Sequence, residues 1–138
     1  MEARLLLLAD YASLEAQTGK LNIIGAFNNI FSSSFPATHP MMYLVVRIAA
    51  ELGEFNIERN LEVALFDEDG QEAWRTPRLP FTIPAPNGGR TGEFNAVLAL
   101  QMMTFERPGR YEFRVFVDHD LEGIIPLDLV PVSLSPEG

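Results

Sequence analysis

The sequence contains no cysteine, and it has only two histidines and one tryptophan in 138 residues. The absence of cysteine excludes disulfide scaffolds, thiolate zinc sites and cysteine nucleophiles. Two histidines cannot by themselves complete the tetrahedral nitrogen and sulfur set of a structural zinc site. No Gly-x-Ser-x-Gly elbow and no His-Glu-x-x-His sequence occurs. We therefore expect a protein that is not an enzyme and that uses no cofactor.

Basic residues and long apolar runs are also scarce. Ten Lys and Arg stand against 19 Asp and Glu, which gives a formal net charge of −9. Nucleic acids and anionic membrane surfaces bind clustered positive charge, so neither is an expected partner. The apolar run Leu5–Ala9 ends at Asp10, and it is shorter than the apolar region of a signal peptide. The composition favours a cytoplasmic protein with no membrane contact.

Alternation of apolar and other residues is the dominant pattern. It marks about eight short segments separated by turn residues, which is typical of half-buried strands. We predict one domain over residues 1–138, an all-β, antiparallel immunoglobulin-like β-sandwich. The side chains predicted to point inward are Leu5, Leu7, Ala9, Tyr11, Leu21, Ile23, Phe27, Met42, Leu44, Val46, Ile48, Leu61, Val63, Leu65, Phe94, Ala96, Leu98, Leu100, Met102, Tyr111, Phe113, Val115, Val117, Ile125, Leu127 and Leu129.

The turns and connections follow from glycine, proline and serine. Gly19 and Lys20 are predicted to close a first hairpin, and Asp69-Gly70 is a strong signal for a second. Residues 31–40, rich in serine and proline, are predicted to form a surface connection. Residues 71–83 are predicted to cross the sandwich as one strand. A glycine within a strand, Gly25, predicts a bulge or a close backbone approach.

Two acidic turns suggest a cation site: residues 67–70 and residues 118–122, the second containing His119. A C2-like or lectin-like domain binds a cation or small ligand by pooling oxygen ligands from loops at one end. Counting strands instead separates the two turns to opposite ends of the sandwich, with His39 at the end opposite His119. The sequence from Asp67 also departs from the EF-hand pattern. Two solvated turns are the preferred interpretation, and no metal is predicted.

Four apolar side chains are predicted to point away from the core and to form a candidate interaction surface: Tyr43, Val45, Val97 and Phe116. Exposed contiguous apolar area usually marks a contact with a partner or a second subunit. The alternative is that a loop such as residues 31–40 or 76–90 covers this face. The sequence thus favours a non-catalytic binding or assembly module that self-associates or binds a protein partner. A loop-based cation or small-ligand domain is the first alternative, and a hydrolase with an unrecognised site is the second.

The N-terminal third also resembles a known family. The segments Leu8-Ala9-Asp10-Tyr11-Ala12, Gly19 to Phe27 (GKLNIIGAF), Phe35-Pro36-Ala37 and His39-Pro40 are similar to a family of small bacterial single-domain β-rich proteins of unknown function. Asp67–Gly70 and Pro108–Tyr111 fit the same pattern. The resemblance implies a bacterial, cytoplasmic protein, and it implies no activity and no catalytic residues.

Overall fold

The computed structural model describes residues 1–88 and 92–133, and its regular structure consists of β-strands. The single-domain prediction extended to residues 89–91 and 134–138, which lie outside the described residues. The strands are β1 (Glu2–Leu14), β2 (Leu21–Phe27), β3 (Asn29–Ser32), β4 (Ala37–Ala50), β5 (Arg59–Phe66), β6 (Glu72–Arg75), β7 (Leu79–Phe81), β8 (Gly92–Phe105), β9 (Gly109–Val117) and β10 (Asp120–Pro131).

These strands form two sheets that share one core. Sheet A has the order β2-β1-β4-β8, and sheet B has the order β3-β10-β9-β5-β6, with β7 also paired to β5. Pairing is antiparallel except between β3 and β10. Side chains from β4 and β8 meet side chains from β5, β9 and β10 in one buried cluster. The result is a sandwich-like all-β arrangement. The described residues include no helix of the length and hydrophobicity that a membrane span requires.

The predicted inward faces of β4, β5, β9 and β10 are confirmed, because their alternating apolar side chains are all buried in this cluster. On β8 the prediction is right as far as Leu100 and wrong at Met102, which is 65% exposed. Met102 has a φ of +53°, in the left-handed region that interrupts an extended strand. The alternation therefore advances by one residue, and Met103, 5% exposed, takes the core position.

Two predicted segments are divided differently in the structure. Within residues 31–40, β3 extends to Ser32 and β4 begins at Ala37, because β3 pairs in parallel with the last residues of β10. The single crossing predicted over residues 71–83 is two short strands, β6 and β7, and both pair with β5. Pro77 lies between β6 and β7. Because a proline has no N–H to donate to a sheet, it separates the two strands.

The inward face predicted for β1 is also wrong. Leu8 is fully buried in the core cluster and Leu6 packs against that cluster, whereas Tyr11 is 46% exposed. Four consecutive leucines, Leu5–Leu8, give no alternation by which to choose a face. The predicted first hairpin is confirmed, since Glu15 N donates to the Lys20 carbonyl at 2.8 Å and β1 pairs antiparallel with β2.

This hairpin does not continue straight along sheet A. Ala9 pairs with Tyr43, and the remainder of β1 pairs only with β2. A straight extension would carry Gly19 beyond the His39 end of β4. Instead, Asn95 Nδ2 donates to the Gly19 carbonyl at 3.4 Å, and Asn95 is level with Arg47 near the other end. Residues 10–25, here called the β1–β2 arm, therefore fold back over the outer face of sheet A.

Candidate functional site

The four residues of the predicted interaction surface do not lie together. Tyr43, Val45 and Val97 belong to the outer face of sheet A, and Phe116 belongs to the outer face of sheet B. The outer faces of a two-layer sandwich point in opposite directions. One continuous surface containing all four residues is therefore excluded, and each face has to be considered separately.

On sheet A the β1–β2 arm accounts for the difference. Val45 points away from the core, as predicted, but it is 0% exposed, so the alternative that this face is covered applies to it. Val97 is half-buried. Tyr43 is half-buried beside Tyr11, whose ring lies edge-on to it at a centroid distance of 5.3 Å. Among the described residues the cover is the arm, rather than the loops at 31–40 or 76–90 named as the alternative; residues 89–90 lie outside the described residues.

The carboxylates of the acidic turn at residues 67–70 have hydrogen-bond and ion-pair partners within the chain. Arg107 Nη2 lies 3.3 Å from Asp69 Oδ2 and 3.6 Å from Asp67 Oδ2. Asp67 Oδ1 accepts backbone N–H groups from Asp69 and Gln71, and the backbone N–H of Arg110 donates to Glu68 Oε1 at 3.1 Å. These oxygens serve the turn itself and its neighbour, an arrangement that leaves few of them for a cation.

The second acidic stretch is a two-residue hairpin turn between β9 and β10, as predicted. Asp118 and His119 have φ values of +48° and +74°, which matches the type I′ turn of tight hairpins. Asp118 Oδ1 accepts the backbone N–H of Asn60 at 2.9 Å, and Asp118 Oδ2 lies 3.4 Å from Arg59 Nη1. This carboxylate therefore fastens the turn to the start of β5.

The two acidic turns lie at opposite ends of sheet B, as the strand count predicted. Antiparallel pairing aligns Phe66 with Glu112 at one end and Leu61 with Val117 at the other. His39 is aligned with Met103, at the end of the turn at 67–70. No group of three metal-ligating side chains gathers anywhere in residues 1–88 and 92–133. The pooled-loop geometry that a C2-like cation site uses is thus missing from the described part of the chain.

Glu62 organises the charged part of the outer face of sheet B. Its residue exposure is 8%, and its carboxylate lies 3.1 Å from Arg75 Nη1. Arg78 Nε and His119 Nδ1 lie 3.8 Å and 3.7 Å from the other oxygen. The Arg75 guanidinium also lies over the Phe116 ring, with its Cζ atom 5.3 Å from the ring centroid. Phe116 is therefore half-buried, in part under this arginine.

An apolar stripe begins beside Phe116 and follows β10. Leu121 pairs with Phe116, and Ile124 pairs with Arg114, so all four share the outer face of the sheet. Leu121 is 50% exposed and Ile124 is 45% exposed, and Pro126, on the same face, is also exposed. We call Phe116, Leu121, Ile124 and Pro126 the β10 stripe.

Ion pairs flank the β10 stripe on its β9 side and at its Asp128 end. Arg114 Nε lies 2.6 Å from Glu112 Oε2, and Arg110 Nε lies 2.5 Å from Asp128 Oδ1. The Arg75–Glu62 pair lies on the other side of Phe116. An apolar centre with a polar rim is the usual anatomy of a contact between proteins.

Sequence reasoning identified Phe116 and missed Leu121 and Ile124. The register shifts between Leu121 and Gly123, where a bulge lies in β10. A bulge changes which residues of a strand face outward. The available signal was the pair Ile124-Ile125: neighbours in a strand face opposite sides, so one of two adjacent isoleucines had to point outward.

Two carboxylates near the Met1 end of the molecule have altered pKa values. A hydrogen bond from the Met1 amino group, 2.5 Å from Glu54 Oε2, lowers the pKa of Glu54. Burial raises the pKa of Glu122, and the nearby carboxylates of Asp120 and Glu54 act in the same direction while the Met1 amino group opposes them. Glu122 is therefore a carboxylate whose charge is unfavourable in the folded protein.

The fold of the chain is similar to part of a solved structure. A comparison with curated proteins finds no match. Among solved structures, it is similar to part of the Pseudomonas fluorescens alkylpurine DNA glycosylase AlkC bound to DNA containing an abasic site analog. The TM-score is 0.52 at 12% identity, and the match covers 94% of this chain and 30% of that enzyme. At this identity the likeness concerns the fold alone.

The family comparison covers nearly the whole chain. Residues 4–130 match the family of unknown function DUF6941. The match includes the segments on which the resemblance was based, from Leu8 to Pro40, and it confirms that resemblance. The chain belongs to the DUF6941 family of unknown function.

Proposed function

We propose that the protein is a non-catalytic binding or assembly module whose β10 stripe contacts a second copy of the chain or another protein. The observation that carries the proposal is the pair of adjacent exposed side chains, Leu121 at 50% and Ile124 at 45%. They lie on the outer face of sheet B, flanked by ion pairs. Burying such side chains removes apolar area from water, which favours association.

Two finer statements belong to the same proposal. The sandwich is taken to be immunoglobulin-like, which the two-sheet order and the shared core support. A cytoplasmic location is also part of the proposal, and the acidic, cysteine-free composition supports it. The cation-binding alternative has less support, because Asp67, Glu68 and Asp118 are already engaged by backbone N–H groups of the chain.

Sedimentation velocity on the purified protein tests the proposal. We expect reversible association at about 10–100 μM, the range of a weak protein contact. Like-charged copies repel each other, and each copy carries −9. Raising the salt from about 50 mM to about 500 mM should therefore strengthen association by screening.

Two matched substitutions locate the contact. Ile124→Lys puts a charge into the β10 stripe, and Ile57→Lys puts the same charge at a residue that is also 45% exposed but lies outside the sheets. We expect the first to abolish association and the second to leave it intact. A wild-type protein that stays monomeric throughout, or two variants with equal effects, would contradict self-association through this surface.

A further inference from the structure

The edges of the two sheets are open where β1 and β10 face each other. On one side β1 pairs with β4, and on its other side β2 pairs with it only from Leu8 onward. Likewise β10 pairs with β9, and on its other side β3 pairs with it only from Asp128 onward. Within the described ranges, residues 2–7 and 120–127 therefore have a strand on one side only. Such edges present backbone N–H and C=O groups that can pair with another chain.

A cleft of about 360 Å³ lies at this open seam. It is lined by three consecutive residues of β1, the last two residues of β2, the residue that follows β2, and two residues of β10: Leu6, Leu7, Leu8, Ala26, Phe27, Asn28, Ile125 and Pro126. A run of consecutive residues on two segments means that backbone as well as side chains forms the wall. The volume is within the range of natural ligand sites.

The path of β2 explains the shape of the cleft. β2 lies beside β1 as far as the pair Leu8–Phe27, and the chain then leaves for β3 in the other sheet. If β2 continued beyond Phe27, it would lie next to β1 in the space that the cleft occupies. An added strand in line with β2 would continue sheet A past Leu7 and Leu6.

The opposite edge is less suited to pairing. Pro126 of β10 has no N–H to donate, and β10 carries the bulge at Leu121–Gly123. Prolines and bulges protect sheet edges from unwanted pairing. Gly123 in turn packs closely against Leu6 and Ala3, which brings β10 alongside β1. We therefore assign the pairing role to the β1 edge and the role of an apolar wall to β10.

The charge around the cleft selects the occupant. Asp10 lies against Gly25, next to Ala26 at one end, and Glu122 adjoins Gly123 near the other end. Neither carboxylate forms an ion pair with another of the described residues. A second copy of the chain brings a net charge of −9 and the same carboxylates, so it is a poor complement. An extended segment with an apolar centre and Lys or Arg at its ends is a good one.

From this geometry we infer that the β1 edge binds an extended peptide segment of a partner protein by strand addition. The peptide lies in line with β2 beside Leu5–Leu7, one apolar side chain enters the cleft toward Ile125, and basic flanks meet Asp10 and Glu122. Main-chain hydrogen bonds supply affinity in this mode, and the cleft selects the side chain. This site shares only Pro126 with the β10 stripe and does not require self-association.

A short capped peptide of sequence KVIVK is the probe. We expect it to shift the amide resonances of Leu5, Leu6 and Leu7 in an ¹⁵N-labelled sample of the full chain, and to slow their hydrogen exchange. Methylating the backbone nitrogens of the peptide removes its donors, and the peptide EVIVE reverses its charge. Each change should weaken binding at least about tenfold.

Replacement of two different alanines by phenylalanine provides a matched test and control. Ala26 and Ala73 are both exposed strand residues, and only Ala26 lines the cleft. Ala26→Phe should abolish the shifts, and Ala73→Phe should leave them unchanged. Repeating the titration on Ile124→Lys separates this site from the β10 stripe, since binding should persist there. No shift at Leu5–Leu7 overturns the inference. Equal binding of the methylated peptide also overturns it, because it indicates a pocket for a small apolar group.

Discussion

The bend that turns the β1–β2 arm back over sheet A depends on Gly25, so its replacement by alanine is the most direct test of the fold. Gly25 has a φ of +70°, a conformation that costs an L-residue roughly 1–2 kcal/mol. A Cβ atom there would also meet three side-chain atoms of Asp10: Oδ2, Cγ at 3.0 Å and Cβ at 3.1 Å. A rotamer change can move Oδ2 and Cγ, but it cannot move the Asp10 Cβ.

Strain and crowding together set the expected loss. Crowding of this kind costs about 1 kcal/mol or more, so Gly25→Ala should lower the free energy of unfolding by about 2–3 kcal/mol. Gly70 is the matched control, because its φ is +80° and nothing lies within 4 Å of an added Cβ. Gly70→Ala should lose only the backbone part, about 1–2 kcal/mol. Urea unfolding followed by tryptophan fluorescence measures both.

The crowding part should be relieved in the Asp10→Ala background, which removes two of the three atoms in the way. We expect Gly25→Ala to cost less there than in the wild type, while Gly70→Ala costs the same in both. Equal losses for the two glycines, or a Gly25→Ala loss that Asp10→Ala does not change, would refute the argument that the close approach to Asp10 shapes the bend.

Two further predictions concern burial. Glu122 has a raised pKa in the folded protein, so its ionised form opposes folding at pH values above the pKa of Glu122 in the unfolded chain. Glu122→Gln should therefore raise the melting temperature at pH 7. The gain should vanish as the pH falls below the pKa of Glu122 in the unfolded chain. A gain in melting temperature that is the same at pH 7 and below the unfolded-state pKa would contradict this. Val45 is 0% exposed under the arm and Val97 is half-buried, so Val45→Ala should cost about 2 kcal/mol and Val97→Ala under about 1 kcal/mol in urea unfolding; equal losses would argue against the cover.

The strands that could be predicted are those with one buried and one polar face. β9 alternates without interruption from Tyr111 to Val117, and its buried set is the predicted one. The wrong predictions concern segments in which the two-residue alternation of apolar and polar side chains is either absent or interrupted. Leu5–Leu8 has no polar member to mark a face, and the left-handed Met102 shifts the pattern by a residue. Local propensity does not report such shifts, which depend on the partner strand.

The candidate site could be predicted only where it depends on local sequence. The tight turn at Asp118-His119 follows from residue type and strand parity, and it is present. The exposure of Val45 depended instead on where a hairpin at least 20 residues away in sequence folds, which no local pattern encodes. Phe116 was identified because β9 alternates cleanly. Its neighbour Leu121 lies at a bulge that local sequence does not reveal, and Ile124 was missed although the pair Ile124-Ile125 signalled an outward side chain.

The molecule treats its two outer faces and its edges differently, and this difference argues for binding rather than for packing alone. The outer face of sheet A is covered by the chain's own arm, with Val45 fully buried. The outer face of sheet B has no such cover over Leu121 and Ile124. One open edge is blunted by Pro126, yet the β1 edge opposite it is left beside an apolar cleft. Because exposed apolar faces and free edges promote aggregation unless they are used or protected, the unprotected ones are where partners are expected.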